Sequence, residues 1–458
     1  MKFPALRKQR GEIVWGTSKV PPLLAPYHFC AEGATGTGKS SLIFMLMNSV
    51  LPDVAVPEFD TRAFINDAKT EVFPYLASLG LQDHVLITNP FDARCSAWDV
   101  GRDVRDDGQA QELAAVMIPP AEGVNKYFYD ASRMMVATAA IALMKVLKTE
   151  WTLRDLLLAC GNVADLKDLA ERAKLPNLDA VEDFLNPSKE ARSVRMTLAV
   201  ENNSFNVIAA AWELAKNAGR SFSIHDWVKG SAPQVLLLGA SKQSRTSLNT
   251  MNRLLVQRTQ QILMDYRDRD ARTGRRSWFF MDEFPAIGAI PNLEELLTEG
   301  RGRGICCVLG YQHIAHVRRW YGILADAIIG QCLHQAYFRV NDAMMADWCS
   351  RHFGLLLSME DDPQQAAHIK KQSPAATVND FLYLVQPLPA VGDSLAQVRG
   401  VLQYRNGNYK LEPRNAFDVV RPVGLATVGP SGQFLRLGQQ NAATFPRPFS
   451  VRLTSPAL

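Results

Sequence analysis

Gly33-Ala-Thr-Gly-Thr-Gly-Lys-Ser40 fits the pattern G-x-x-x-x-G-K-[ST], and its flanks support the match. Before it, Tyr27-His-Phe-Cys-Ala31 is short and mostly apolar, as a buried strand requires. After it, Ser41-Leu-Ile-Phe-Met-Leu-Met47 is apolar on almost every face, as a core helix requires. A glycine-rich turn between such elements gathers backbone N–H groups and a helix N-terminus at one point, which suits a phosphate. Gly33, Gly36 and Gly38 permit the positive φ and close backbone approach that the turn demands. Lys39 can reach β- and γ-phosphates, and Ser40 can ligate Mg²⁺. The expected nucleotide contacts are therefore Gly33, Thr35, Gly36, Thr37, Gly38, Lys39, Ser40 and Ser41. The stretch predicts an α/β P-loop fold that binds ATP or GTP.

The rest of the composition is compatible with this. With 458 residues, 47% of them apolar and 21% charged, the chain is long enough for two folded domains and carries no signature of disorder. A net charge of +4 permits a nucleic-acid partner without arguing for one. Seven cysteines are scattered with no C-x-x-C pair, so neither a disulfide framework nor a zinc site is expected, and a reducing cytosol is. The basic amino terminus lacks an apolar stretch after it and does not read as a signal peptide. The longest apolar run, Met134–Met144, is too short to span a bilayer.

Along the chain, residues 11–26 read as an irregular approach to the first strand. Ala63–Asn66 and His84–Thr88 read as further strands, with a short helix from Thr70 to Leu79 between them. From Gly108 the texture becomes helical. Tyr127–Leu147 is a long buried helix, and Thr152-x-x-Asp155 forms a capping box ahead of Leu153–Leu158. Val163–Lys174 is a further helix, and Arg192–Lys216 closes the set. Strands return at Gln234–Gly239, Trp278–Met281, Ile305–Leu309 and Gln335–Val340, with helices at Ser247–Met264 and Asn292–Glu299. The expected organisation is an α/β domain in two parts, 1–107 and 226–385, interrupted by an all-α domain over 108–225. Residues 386–458, rich in proline and glycine, have no assigned role.

Trp278-Phe-Phe-Met-Asp-Glu283 ends an apolar strand in two carboxylates, the pattern of a Walker B segment. Asp282 is expected to hold Mg²⁺, and Glu283 to orient and deprotonate an attacking water. A consecutive Asp-Glu favours a hydrolysing motor over a kinase, which must exclude water. Glu299-Gly-Arg-Gly-Arg-Gly304 is a basic turn from which Arg301, and less so Arg303, could reach a neighbouring subunit's γ-phosphate. An arginine in that role is worth ~10³–10⁵ in rate. A solvated turn or a phosphate contact to DNA is the plainer reading of the same residues. Gln312, after the strand at 305, is placed to sense the γ-phosphate, with an ordinary helix cap as the other reading. The eight histidines show no metal-ligand spacing. Arg267–Arg272 reads as a solvated turn, and Arg318-Arg-Trp-Tyr321 as either a helix end or a base-stacking group.

Further segments follow one another along the chain: Asn66-Asp-Ala-Lys-Thr-Glu71, Asn89-Pro-Phe-Asp-Ala-Arg94 leading to Trp98, Phe222-Ser-Ile-His-Asp-Trp227, Asp282-Glu-Phe-Pro285, Gly300-Arg301, Gly310-Tyr-Gln312 and Tyr321-Gly322. The ordered set, spanning about residues 11–385, resembles the type IV secretion coupling proteins of bacterial conjugation, the TraD/TraG family of hexameric DNA-pumping ATPases. The resemblance implies a RecA-like nucleotide-binding domain with an inserted all-α domain at the cytoplasmic mouth. It implies ATP and Mg²⁺ as cofactors, sites shared between subunits of a hexamer, and relaxase-bound single-stranded DNA as cargo. The family usually carries an amino-terminal membrane anchor. Here the expectation is a soluble, cytoplasmic form, peripheral at the inner membrane and docked by secretion components or by a separate membrane anchor protein; the other reading is that the anchor is missing from this chain. Two rival readings remain. One is another ring motor, an FtsK/HerA-type duplex translocase or a protein-secretion ATPase. The other is a scaffold that binds ATP without acting as a motor.

Overall fold

The computed structural model of the chain describes residues 10–383, except 17, 70, 177–185, 187, 231–232, 242–243, 267–274, 354, 363–366 and 375–376, together with 397–403 and 412–418. The solvated turn expected at Arg267–Arg272 lies outside the described residues, as does most of 386–458. The described residues form two compact units. Residues up to His84 and from Arg275 onward make one; Val85–Tyr266 make the other.

In the first unit, β1 (Ile13–Trp15) and β2 (Ser18–Val20) pair antiparallel around Gly16, whose φ is 60°. From sequence, residues 11–26 read as irregular chain. Two strands of three residues are too short for alternation to register, and it is burial that makes the hairpin: Trp15 is fully enclosed and meets Phe29 edge-on at 5.1 Å. A 3-10 turn, Pro22–Tyr27, leads into β3 (Phe29–Glu32), buried along its length. Then come α1 (Lys39–Val50), β4 (Thr61–Asn66) and α2 (Val72–Ser78).

The second unit opens with β5 (Val85–Ile87) and β6 (Ala97–Trp98). Its helical run is α3 (Val100–Asp103), α4 (Asp107–Met117), α5 (Lys126–Leu147), α6 (Leu153–Gly161), α7 (Val163–Arg172), α8 (Lys189–Asn203) and α9 (Asn206–Asn217). Thr152 and Asp155 form the expected capping box. The stretch Arg192–Lys216 is two helices, broken at Ser204-Phe205, where the Phe205 ring is buried in the core. The unit closes with β7 (Ser221–Phe222), α10 (Ile224–Lys229), β8 (Val235–Leu238) and α11 (Arg245–Asp265). β6 pairs parallel with β7, and β5 with β8.

Asp103 fastens the base of the helical run. Its fully buried carboxylate accepts from Trp98 Nε1 at 2.7 Å, Ser223 Oγ at 3.0 Å, and the backbone N–H groups of Ile224 and His225 at 2.6 and 3.0 Å. Burial alone would raise its pKa. The bonds from His225, the two N–H groups and Trp98 outweigh that and hold it below the ordinary aspartate value. The segments ending at Trp98 and spanning Phe222–Trp227 thus share one anion.

Back in the first unit, β9 (Arg276–Met281), α12 (Leu293–Glu299), β10 (Ile305–Tyr311), α13 (Ile314–Tyr321), α14 (Leu324–Gly330), β11 (His334–Tyr337) and α15 (Ala343–Phe353) complete the core. β12 (Leu355–Asp362) and β13 (Ala367–Pro374) form a hairpin. The parallel strands run in the order β11-β3-β10-β9-β4, all buried, as a sheet covered on both faces requires. β14 (Gln397–Gln403) and β15 (Glu412–Asp418) extend the β11 side antiparallel. Among the described residues, no helix is long and apolar enough to cross a membrane.

Candidate nucleotide-binding site

Parallel strands deliver their carboxyl ends to one edge, and the register states which ends meet. Glu32 of β3 lies opposite Tyr311 of β10, and Leu309 of β10 opposite Met281 of β9. The next residues on the three strands are Gly33, Gln312 and Asp282. Strand β10 therefore sits between the glycine loop and the acidic pair, and Gln312, just past its end, touches both.

The loop has the backbone its sequence implies. Gly33, Gly36 and Gly38 take φ of 148°, 75° and 112°. A methyl group on Gly33 would stand 2.6 Å from Phe338 Cβ. Ala34 N–H donates to Arg339 C=O at 2.8 Å, and Thr37 Oγ1 to Ala34 C=O at 2.8 Å. Lys39 turns back over the loop, its Nζ donating to the carbonyls of Gly33 at 2.5 Å and Ala34 at 2.9 Å. Burial lowers its pKa, while Glu283 and Asp282 act the other way. Ser41 lies in the first turn of α1, half-buried, and Thr35 and Gly36 are exposed at the tip.

Two hydrogen-bonded groups face the loop. In the first, Ser40 Oγ donates to Asp282 Oδ2 at 2.6 Å, and Lys69 Nζ donates to the same two oxygens at 2.6 and 2.8 Å. In the second, Thr35 Oγ1 donates to Gln312 Oε1 at 2.9 Å while Gln312 Nε2 donates to Glu283 Oε2 at 2.9 Å. Burial raises the Glu283 pKa above the ordinary glutamate value; the Gln312 bond and the Lys39 charge offset part of that. The second carboxylate oxygen of Asp282 is buried and has no hydrogen-bond partner among the described residues. A serine hydroxyl, an aspartate and an unused buried acceptor are hard oxygen donors of the type Mg²⁺ takes, so the residues fit that ion.

The edge thus brings together Thr35, Thr37, Lys39, Ser40, Asp282, Glu283 and Gln312. It does not bring Arg301. That residue lies at the amino end of β10, where its guanidinium bonds Gln331 Oε1 at 3.0 Å and Thr298 C=O at 3.3 Å and covers the Tyr27 ring at 5.5 Å. Arg318 pairs with Asp326 at 2.9 Å and Tyr321 accepts from Ile290 N–H at 2.9 Å, while Trp320 remains exposed. Two functional features had no role in the sequence reading. Lys69 belongs to the segment Asn66–Glu71, which carries no residue-level assignment in the sequence. Gly310 carries no side chain because a methyl there would lie 2.1 Å from the Asp282 carbonyl oxygen.

The chain resembles known proteins in sequence and in fold. The chain is 27% identical over 335 residues to the coupling protein TraD of Escherichia coli strain K12, covering 71% of this chain and 44% of TraD. It is 23% identical over 320 residues to the conjugal transfer protein TraG of Escherichia coli, covering 64% of this chain and 49% of TraG. It therefore spans less than half the length of either curated relative. The plasmid coupling protein TrwB, solved in complex with ADP and Mg²⁺, superposes with a TM-score of 0.67 at 18% identity, over 90% of this chain and 89% of that one. That likeness establishes the fold, a RecA-like P-loop domain with an inserted all-α domain. The family model of the type IV secretion-system coupling protein DNA-binding domain matches residues 15–362, most of the sequence, and the chain belongs to that family.

Proposed function

We propose that this protein is an ATP-hydrolysing DNA translocase that couples a DNA–protein substrate to a type IV secretion apparatus. The observation that carries the reading is the meeting of three strand ends, which sets Glu283 and Gln312 against the phosphate loop beside the Ser40–Asp282 pair. ATP binds with its phosphates on the loop, and Lys39 leaves the Gly33 and Ala34 carbonyls to meet them. Ser40 and Asp282 hold Mg²⁺, which when bound neutralises phosphate charge. Glu283 orients a water and takes its proton, a task its raised pKa suits. Gln312, bonded to Glu283 on one side and Thr35 on the other, links the base to the loop and so reports whether the γ-phosphate is present. TrwB, which shares the fold, binds ADP with Mg²⁺.

Arg301 belongs to this scheme only across a subunit boundary. At the amino end of β10 it faces away from its own site, and in a ring it is the arginine offered to the neighbour. The assembly is a hexamer; the cargo is relaxase-bound single-stranded DNA. The all-α domain is the segment 108–225. The protein works on the cytoplasmic side of the inner membrane, held by secretion components or an anchor protein.

Steady-state ATP hydrolysis tests this, measured for the wild type, Lys39→Ala and Glu283→Gln over a range of protein concentrations with and without single- and double-stranded DNA. Stimulation by single-stranded DNA that steepens with protein concentration and vanishes in both variants is expected. Hydrolysis indifferent to DNA at every concentration overturns the motor.

A further inference from the structure

The segment Asn66–Glu71 contains two residues whose roles the structure separates. Asp67 builds the turn: its two carboxylate oxygens accept from the backbone N–H groups of Glu71 and Val72, at 3.0 Å each, and so cap the start of α2. Lys69 uses the turn. It stands three residues beyond β4, which runs beside β9 with Asn66 opposite Met281, so the lysine emerges at the edge where Asp282 begins. There its ammonium bonds both Ser40 Oγ and Asp282 Oδ2. Those are the two oxygens that the proposed function gives to the divalent cation.

The side chain is built to come and go. It is 52% exposed, against 20% for Asp282, and its stem is a flexible four-carbon chain. An ammonium and Mg²⁺ make the same demand on this site, a compact positive charge against oxygen. They differ in that the lysine is tethered and carries half the charge. Asp282 still has one buried oxygen without a hydrogen bond among the described residues, so a single ammonium leaves it partly uncompensated.

We propose that Lys69 is an exchangeable stand-in for the divalent cation, occupying the position between Ser40 and Asp282 until metal-bound nucleotide arrives and then withdrawing from it. The assignment rests on the nucleotide-site reading above. In the metal-free protein the lysine shields Asp282 and keeps the phosphate loop receptive to an anion. Once the metal is present it has nothing left to neutralise there. The role therefore shows in how nucleotide affinity depends on metal.

Binding of a fluorescent ADP analogue, mant-ADP, to the full chain tests this in EDTA and in saturating Mg²⁺, for the wild type, Lys69→Met and Lys69→Arg. Exchange of a half-exposed ion pair predicts a ~3- to 10-fold loss of metal-free affinity in Lys69→Met, less than ~2-fold loss in Mg²⁺, and recovery in Lys69→Arg. An equal loss in both buffers makes Lys69 a permanent phosphate contact and overturns the exchange. Unchanged affinity in both buffers overturns it as well. A wild type that binds no mant-ADP in either buffer overturns the nucleotide-site reading itself, which separates the two failures. Far-ultraviolet circular dichroism of each variant confirms that the fold is intact.

Discussion

Replacing Gly310 with alanine tests whether the spacing between β9 and β10 sets the geometry of the site. The new methyl would stand 2.1 Å from the Asp282 carbonyl oxygen and 2.8 Å from its carbonyl carbon. Both neighbours are backbone, so no side chain can swing aside. Contact distance is recovered only if the ends of the two strands part by ~1 Å. Gly310 lies two residues before Gln312, and Asp282 immediately before Glu283, so the displacement falls on the 2.9 Å bond between Gln312 and Glu283. A hydrogen bond stretched by that amount no longer qualifies as one.

Two magnitudes follow. Forcing one extra carbon into a filled core costs ~1–3 kcal/mol of stability. Misplacing a catalytic base by ~1 Å costs on the order of 10²-fold in turnover. Differential scanning calorimetry and ATP hydrolysis at saturating nucleotide read the two separately. Gly330→Ala is the control: nothing lies within 4 Å of a methyl there and the residue ends α14, so stability should be unchanged or raised by up to ~1 kcal/mol. If Gly310→Ala matched the wild type in both measurements, the argument that strand spacing positions the base would be wrong.

Other perturbations probe different parts of the molecule. Because burial raises the Glu283 pKa, its carboxylate is lost on acidification sooner than an ordinary glutamate's; the acid limb of the turnover profile should lie above the position an ordinary glutamate would give and disappear in Glu283→Gln, as stopped-time phosphate release at graded pH will show. Asp103→Ala orphans buried donors from Trp98, Ser223, Ile224 and His225 and should cost ~3–5 kcal/mol in urea unfolding. Its folded pKa is depressed, so the wild type keeps this contribution above the unfolded value and loses it as pH falls through the folded one, whereas Asp103→Asn should show no such acid step. Glu32 is the reverse case. It is buried under the loop, bonded by Tyr311 Oη and by Cys349 Sγ at 3.4 Å, and burial raises its pKa well above the glutamate value. The folded state then retains a proton that the unfolded chain releases, and stability declines as pH rises from the unfolded pKa. Glu32→Gln should remove that decline, its gain in melting temperature growing as pH rises above the ordinary glutamate value.

Much of this was legible in the sequence because the signals are local. A strand, a glycine turn and a helix occupy consecutive residues at 27–47, and an apolar run ending in Asp282-Glu283 states both its burial and its polarity. The same holds for the helical run, where Thr152 and Asp155 announce a helix start on their own. What stayed hidden depends on partners distant in sequence. The β1–β2 hairpin is fixed by Trp15 packing on Phe29, not by any alternation within three-residue strands. Asp103 is one acid among many until Ser223, Ile224 and His225 fold onto it. Nothing in the sequence joins Lys69 to Asp282 until β4 is set beside β9.

Strand order is the common cause. A motif states what stands at the end of one strand, and only the order of strands states which ends are neighbours. With β10 between β3 and β9, Gln312 necessarily lies between the phosphate loop and Glu283, and Gly310 necessarily lacks a side chain where Asp282 crosses it. The same order bears on Arg301. Parallel strands put their amino ends on the far edge, so an arginine that precedes β10 cannot serve the nucleotide bound by its own chain. A catalytic role for Arg301 therefore requires a second copy. In mixtures of wild-type protein with Lys39→Ala subunits carrying an intact Arg301, activity should exceed that of mixtures with the Lys39→Ala, Arg301→Ala double variant. Equal activity in the two mixtures would leave Arg301 a structural residue, holding Gln331 and the Thr298 carbonyl at the base of the sheet.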